Sequence, residues 1–355
     1  MNIMVIVSKF KRSGPLLVIE NIYKNVEGMK VDLVALNPYN DDKYKEHLAT
    51  IGFSLIELNI NKRETLFPKT KNIFGKIDIT KYDIVHTHGI RPDYIVSRFK
   101  LKNHCTTIHN YPFEDYPMTY GKVKGLLMSH FHVSVMKKIS HVIFCSDSIP
   151  KRLKYKNKNM HVIFNGVDIM RFENTYQKRE ENVKSFVSVG HLSYRKNPLE
   201  IIKVFNKISN DYPNKNMKLY LLGTGDLYQE CAKYANKNII LTGKVNNVEE
   251  YLNLSDCYVS ASLSEGTPNS VLEALSVGLP CIISDIPSHQ SIANLINSVK
   301  IYQNEDELYN LMKDIIFGNE KVFQKNANFD LYFSSDSMSN KYLGLYKDIV
   351  QEKKL

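Results

Sequence analysis

Residues 256–285 read DCYVSASLSEGTPNSVLEALSVGLPCIISD. DCYVSAS (256–262) is short, apolar and rich in β-formers, which predicts a buried strand. VLEALSV carries a helical apolar pattern, Gly278 suits the position just past a helix, and Pro280 stops it. PCIISD (280–285) then predicts a further buried strand. Strand, loop, helix and strand in that order, with apolar strands, is βαβ logic and specifies a parallel sheet covered by helices. In such a domain the loop SEGTPNS lies at the carboxyl end of the sheet, where helix N-termini offer unpaired N–H groups to anions. The loop separates two glutamates, Glu265 and Glu273. Gly266 and Pro268 argue against one helix running through both, so Glu265 is expected in the loop and Glu273 in the first turn of the helix. Ser270 and Glu273 have capping-box spacing, which is compatible with a ligand role.

The same alternation extends in both directions. SFVSVG (185–190), KLYLLG (218–223) and NIILTG (238–243) read as strands, with helices at LEIIKVFNKISN, around 226–235, and at VEEYLNL. In the first half NIMVIVS (2–8), KVDLVAL (30–36), YDIVHTH (82–88), HCTTIHN (104–110) and HVIFCS (141–146) read as strands. PLLVIENIYKNV and VKGLLMSHFHVSVMKKI read as helices, and the apolar residues of the second are expected to face the core. The expected fold is therefore α/β, with two Rossmann-like, doubly wound parallel-sheet domains across a cleft. The polar run RFENTYQKREENVK (171–184) is the expected break, giving domains over 1–168 and 169–335. A closing helix over 336–355 would pack back on the first domain.

The 355 residues suffice for two such cores, and 43% hydrophobic with 24% charged residues describes an ordinary globular chain. Five scattered cysteines without CxxC spacing read as reduced core thiols, not a zinc site. No apolar stretch reaches transmembrane length, and MNIMVIVSKF reads as a first strand rather than a leader. Charge is uneven. Residues 1–168 hold 26 Lys and Arg against 15 Asp and Glu, a net +11, whereas the remainder holds 21 against 22, a net −1. A basic first half points to an anionic partner. No basic-aromatic stripe on a recognisable nucleic-acid fold accompanies it, so a membrane surface is expected rather than nucleic acid.

There is no GxxxxGK[ST] P-loop, and Gly223 and Gly225 form a lone GxG whose third position is Tyr228. No DxD triplet is present to hold a metal on a diphosphate, so the neutralising charge must come from the protein. VGHLSYRKNP (189–198) places Arg195 and Lys196 in a loop at the same sheet edge as Glu265, where cations can stabilise a departing diphosphate.

Together VGHLSYRKNP, LLGTGDL, VSASLSEGTPNSVLEALSVGLPCIISD and NGVD (165–168) resemble the retaining, metal-independent GT-B glycosyltransferases of the "group 1" family, which carry an E-x7-E signature. The resemblance spans essentially the whole chain and is strongest over 185–287. It implies transfer of a sugar from a nucleoside-diphosphate sugar to a hydroxyl of a glycan acceptor, lipid-linked in surface polysaccharide synthesis, with no cofactor and no metal. Reduced cysteines point to a cytoplasmic protein, and the basic first half to peripheral attachment on the inner face of the membrane. The resemblance places Glu265 at donor-sugar hydroxyls and Glu273 at the ribose. The backbone of Gly266, Thr267, Pro268, Asn269 and Ser270 falls at sugar and phosphate. Gly14, Asn165, Gly190, Arg195, Lys196 and Val245 complete the donor site. His109 falls beside the donor sugar, making His109, Lys196 and Glu265 the candidate catalytic set, while His88 and Arg91 are candidates for the acceptor. His191 stands where many relatives have arginine. A sugar-nucleotide epimerase of the same architecture and a non-catalytic nucleic-acid-binding protein are the alternatives.

Overall fold

The computed structural model describes residues 1–24, 28–68, 73, 75, 77–172, 183–318 and 328–354. Most of the expected break at 171–184, and the end of the helix expected at 15–26, lie outside the described residues. The chain divides into two compact units, Met1–Gly166 with Ser335–Leu355, and Val167–Ser334.

In the first unit the strands are β1 (Asn2–Val7), β2 (Lys30–Ala35), β3 (Ser54–Glu57), β4 (Ile84–His88), β5 (His104–Ile108), β6 (His141–Phe144) and β7 (Met160–Val162). They form one sheet in the order β3-β2-β1-β4-β5-β6-β7, and every pair is parallel. Strands β4, β5 and β6 are buried at every position because helices cover both faces, and the histidines and threonines of β4 and β5 are accommodated there by hydrogen bonds such as His86–Thr107 and Thr106–Asp93. The helix Ser335–Lys354 belongs to this unit. Its Met338, Tyr342, Leu345, Tyr346 and Ile349 share one apolar core with Ile3, Val5 and Leu33.

The second unit repeats the plan with β8 (Lys184–Val189), β9 (Met217–Leu222), β10 (Ile239–Gly243), β11 (Cys257–Ser260), β12 (Cys281–Ser284) and β13 (Val299–Tyr302), in the order β10-β9-β8-β11-β12-β13. In both units the strand order reverses beside the first strand, between β1 and β4 and between β8 and β11. Loops leave that switch point on opposite sides and open a crevice at the carboxyl ends of the strands, where ligands of α/β sheets bind.

Two sequence expectations need correction. The helix after β11 is Asn269–Ser276, so Glu273 lies in its second turn, not its first. Pro268 occupies the N-cap, so Ser270 cannot cap; it stands instead 2.8 Å from the hydroxyl of Tyr258, which donates to it, and no capping box forms. At the other end the motif is as read. Gly278 adopts φ +75°, its N–H donates to Leu275, and that of Leu279 donates to Ala274, a Schellman ending.

The second correction concerns the helix Lys122–Met136. Only its Ser129, His132, Val135, Met136 and Gly125 are buried. Val123 (76% exposed), Leu126 (44%), Leu127 (67%) and Phe131 (46%) form an outward stripe at i, i+3, i+4 and i+8. Met118 and Tyr120, exposed on the preceding helix Pro112–Tyr120, extend it. The stripe faces outward because the polar side of the helix, with Ser129 and His132, turns inward to bond the carbonyl of Pro112 and Asp93.

All five cysteines are buried and no disulfide occurs among the described residues. No described helix is long and apolar enough to cross a membrane.

Candidate active site

In the second unit the loops after β8 and β11 flank the switch point, and they bring Arg195, Lys196 and Glu265 together. Lys196 Nζ lies 2.5 Å from Glu265 Oε1, and Arg195 Nη1 lies 2.8 Å from Oε2 and 2.8 Å from the carbonyl oxygen of Ser264. Ser262 donates its hydroxyl to Oε1 at 2.9 Å. Burial of the carboxyl, 7% exposed, would raise its pKa, but Lys196 and Arg195 outweigh that and hold it down to about 2. Glu265 is thus a carboxylate at any physiological pH. Three of its roughly four lone-pair sites are engaged, and one on Oε2 is left to accept from a ligand hydroxyl.

The geometry depends on glycines that the lone GxG pattern left without a role. Gly190 has φ +152°, and a Cβ there would touch Lys196 Cε at 3.4 Å, so the lysine stem lies across this residue. A Cβ on Gly223 would stand 1.9 Å from the carbonyl oxygen of Gly190, and one on Gly225 would stand 2.3 Å from that of Leu192. The two loops are also laced by backbone bonds, Gly190 N–H to Leu222, Leu192 N–H to Thr224 and Leu227 N–H to Leu192. Gly223 and Gly225 therefore serve close backbone approach beneath the 190 loop. Gly223→Ala is expected to force Gly190 and Lys196 out of place, costing ~3 kcal/mol of stability and donor binding. Unchanged melting temperature and nucleotide affinity would show that the loop has slack.

Around this core, Gly266, Thr267 and Pro268 are buried in the loop, and Asn269 and Ser270 begin the helix. Glu273 is half-buried on that helix. Tyr258 feels both glutamates: burial first, and then Glu265 and Glu273 among its neighbours, push its phenol pKa up. Val245 follows β10, and His191 is exposed.

Sequence reasoning missed His289. It is fully buried on the helix Pro287–Ala293, and Nδ1 lies 2.8 Å from the carbonyl oxygen of Ser284. A carbonyl only accepts, so Nδ1 carries the proton and Nε2 is a lone pair, buried and without a partner. Burial lowers its pKa to about 4, with Glu265 and Lys196 among the charges it senses, so the ring is neutral at pH 7. Ser284 links it to the site by donating to the carbonyl of Ser262 at 2.6 Å. No spacing in the sequence announces this contact.

The remaining expected residues belong to the first unit. Gly14 opens the helix Gly14–Tyr23 after β1, and Asn165 is buried at the end of that unit. His88, at the end of β4, and His109, just past β5, are joined Nδ1 to Nε2 at 2.9 Å. Burial lowers both, His109 to about 4, so they are neutral rings sharing one proton. Both line a pocket of about 270 Å³ at the switch point of this sheet, with Ser8, Asp115, Tyr116 and His132. His86 does not; it is packed inside, bonded to Thr107 at 2.8 Å and to Tyr346 at 2.8 Å. Arg91 is a brace. Its Nε donates to Thr65, Nη1 to Asn37 and Nη2 to the carbonyl of Ile60, and it is not in the pocket lining.

Both halves of the chain are similar to known glycosyltransferases. A family model described as "Glycosyl transferases group 1" fits residues 183–316, and one described as "Glycosyltransferase Family 4" fits residues 25–171. The chain is 24% identical over 371 aligned positions, 99% of each chain, to the O-antigen biosynthesis glycosyltransferase WclY of Escherichia coli. It is 30% identical over 232 positions, 58% of each chain, to the UDP-Gal:alpha-D-GlcNAc-diphosphoundecaprenol alpha-1,3-galactosyltransferase of Escherichia coli. HepE of Anabaena, solved in complex with UDP and glucose, has the same fold, with a TM-score of 0.77 at 15% identity over 98% of this chain and 100% of that one. With two Rossmann-like domains and a family match in each half, the chain belongs to the group 1 glycosyltransferases of GT-B fold.

Proposed function

We propose that this protein is a retaining glycosyltransferase that moves a sugar from a nucleoside-diphosphate sugar to a hydroxyl of a lipid-linked glycan, in the synthesis of a bacterial surface polysaccharide. The observation that carries this reading is the Arg195–Lys196–Glu265 cluster at the switch point of the second sheet. Two cations held by one carboxylate are pre-positioned where a diphosphate would gather charge as it leaves, so little reorganisation accompanies bond breaking. Glu265 fixes both cations and offers its remaining lone pair to a sugar hydroxyl, and Glu273 serves the ribose. His109 lies beside the donor sugar. Retention follows from the E-x7-E resemblance. The relatives that act in O-antigen synthesis or on a diphosphoundecaprenol-linked sugar support the acceptor class.

The acceptor class implies work at the inner face of the membrane. The net +11 of the first half and the stripe Val123–Leu126–Leu127–Phe131, flanked by Lys122 and Lys124, support peripheral attachment there. Charge at the leaving group comes from the protein, so no metal and no cofactor are assigned, and activity should survive chelation.

A thermal-shift screen with UDP-, GDP-, ADP- and CMP-sugars tests the reading. One nucleotide class should raise the melting temperature, by ~2.7 kcal/mol of added stability at a hundred times its dissociation constant, and its sugar should be released slowly to water. No shift with any of them would overturn it. Conversion of the nucleotide sugar to an isomer without an acceptor would assign an epimerase instead.

A further inference from the structure

Glu265 holds the two cations of the second unit in a way that also blunts them. Each of its oxygens takes one, Oε1 at 2.5 Å from Lys196 Nζ and Oε2 at 2.8 Å from Arg195 Nη1. Burial would raise its pKa, but the two cations hold it down to about 2, so the carboxyl stays charged. His289, lowered to about 4 by burial, adds no charge at neutral pH. Two positive charges and one negative leave Arg195, Lys196 and Glu265 with a net +1 to offer a ligand. Neither cation depends on the carboxylate alone for its place. The Lys196 stem lies across Gly190, where a Cβ would touch its Cε at 3.4 Å, and Arg195 Nη1 also donates to the carbonyl of Ser264 at 2.8 Å. The charge of Glu265 is therefore more than the placement of its partners requires.

The effect of that charge falls on one species. In the transfer, the bond from the sugar carbon to the diphosphate breaks with its electron pair on the phosphate oxygen, the acceptor oxygen bonds the carbon, and the hydroxyl proton passes to water. The phosphate beside the sugar thereby turns from a diester with a single charge into a terminal phosphate, which is largely doubly charged at neutral pH because its second pKa is ~6. Before transfer a sugar hydroxyl donates to Glu265. Afterwards the sugar has gone and an added negative charge faces the carboxylate. One step removes an attraction and creates a repulsion.

We propose that Glu265 is an electrostatic counterweight, which weakens the hold of Arg195 and Lys196 on the released nucleoside diphosphate and so speeds its departure. The same carboxylate that fixes the cations for bond breaking keeps them from retaining the product. The inference rests on the glycosyltransferase reading and adds to it the step that follows transfer.

The test is binding of UDP, GDP and ADP, each beside its monophosphate, to the full chain by titration calorimetry and stopped flow. For the diphosphate that wild type binds most tightly, Glu265→Gln should raise affinity about tenfold, the worth of one unit charge removed from a partly screened site. Its dissociation should slow by a similar factor. Affinity for the monophosphate, which lacks the phosphate beside the sugar, should barely change, whereas a loosened loop would weaken both ligands. Arg195→Gln should lower diphosphate affinity about tenfold, and the double variant Arg195→Gln with Glu265→Gln should return it to the wild-type level, because the net charge is again that of wild type. The double variant also serves where Glu265→Gln alone is too unstable to measure, since two amides bond each other while a lone amide would face a guanidinium. Unchanged or weaker diphosphate binding by Glu265→Gln, or a double variant that binds no better than Arg195→Gln, would overturn the counterweight. Diphosphate binding by wild type in those cases would leave the transferase reading standing, whereas binding of none of the three would remove both.

Discussion

Lys196→Ala is expected to lower turnover about a hundredfold, the usual cost of deleting one group that stabilises charge in the transition state. The lysine is held against Gly190 and bonded to Glu265, so its charge is fixed before the reaction begins. Affinity for the free nucleotide should fall much less, because Arg195 remains on Glu265. Stability should drop by ~1–2 kcal/mol, since Arg195 and Ser262 still satisfy the buried carboxylate. Lys196→Arg should not restore the rate, because a forked guanidinium cannot follow the lysine stem across Gly190. Activity of wild type should be unchanged in EDTA. Loss of activity in EDTA restored by magnesium, or a Lys196→Ala variant turning over normally, would shift the charge stabilisation to another agent.

Val123→Ser with Leu127→Ser is expected to reduce binding to anionic liposomes by about a hundredfold or more, at ~1.5–3 kcal/mol for each apolar side chain withdrawn from the lipid. These are the most exposed apolar residues of the stripe, so folding should be unaffected. Neutralising Lys122, Lys124, Lys137 and Lys138 should act differently. It should remove the preference for anionic over neutral vesicles and the sensitivity to salt, at ~1 kcal/mol per charge near the surface. Sedimentation with vesicles of graded anionic content separates the two effects. Equal sedimentation with neutral and anionic vesicles, or none with either at low salt, would point to a water-soluble acceptor and leave the stripe to another partner.

Most of the strands that the sequence disclosed lie inside the sheets, and the one disclosed edge strand, β10, still carries the apolar run IIL. The three it did not disclose, β3, β7 and β13, are all sheet edges. There SLIE, MHV and VKIY are short and partly exposed, so period-two and apolar-run signals both fade. The glutamate signature was legible because its residues lie on one loop and one helix. The contacts that give it meaning were not, since Arg195 and Glu265 are 70 positions apart. His132 and Asp93, 39 apart, are likewise joined only by the packing of two helices. The helix Lys122–Met136 misled for a different reason. Apolar residues occur around much of its circumference, and which side faces inward was decided by buried polar bonds from Ser129 and His132. Pro268 displaced the capping box because a proline fits the start of a helix with no N–H to satisfy.

At Gly125 the helices Pro112–Tyr120 and Lys122–Met136 approach so closely that an added Cβ would stand 2.3 Å from the backbone nitrogen of Pro117 and 2.5 Å from the carbonyl carbon of Tyr116. Two helices seated backbone to backbone behave mechanically as one plate, with no compliant layer of side chains between them. One side of that plate carries Val123 and Leu127, and its inner edge carries Tyr116 and His132. A side chain at position 125 would have to part this plate along its seam, so the pair of helices can only shift together or separate.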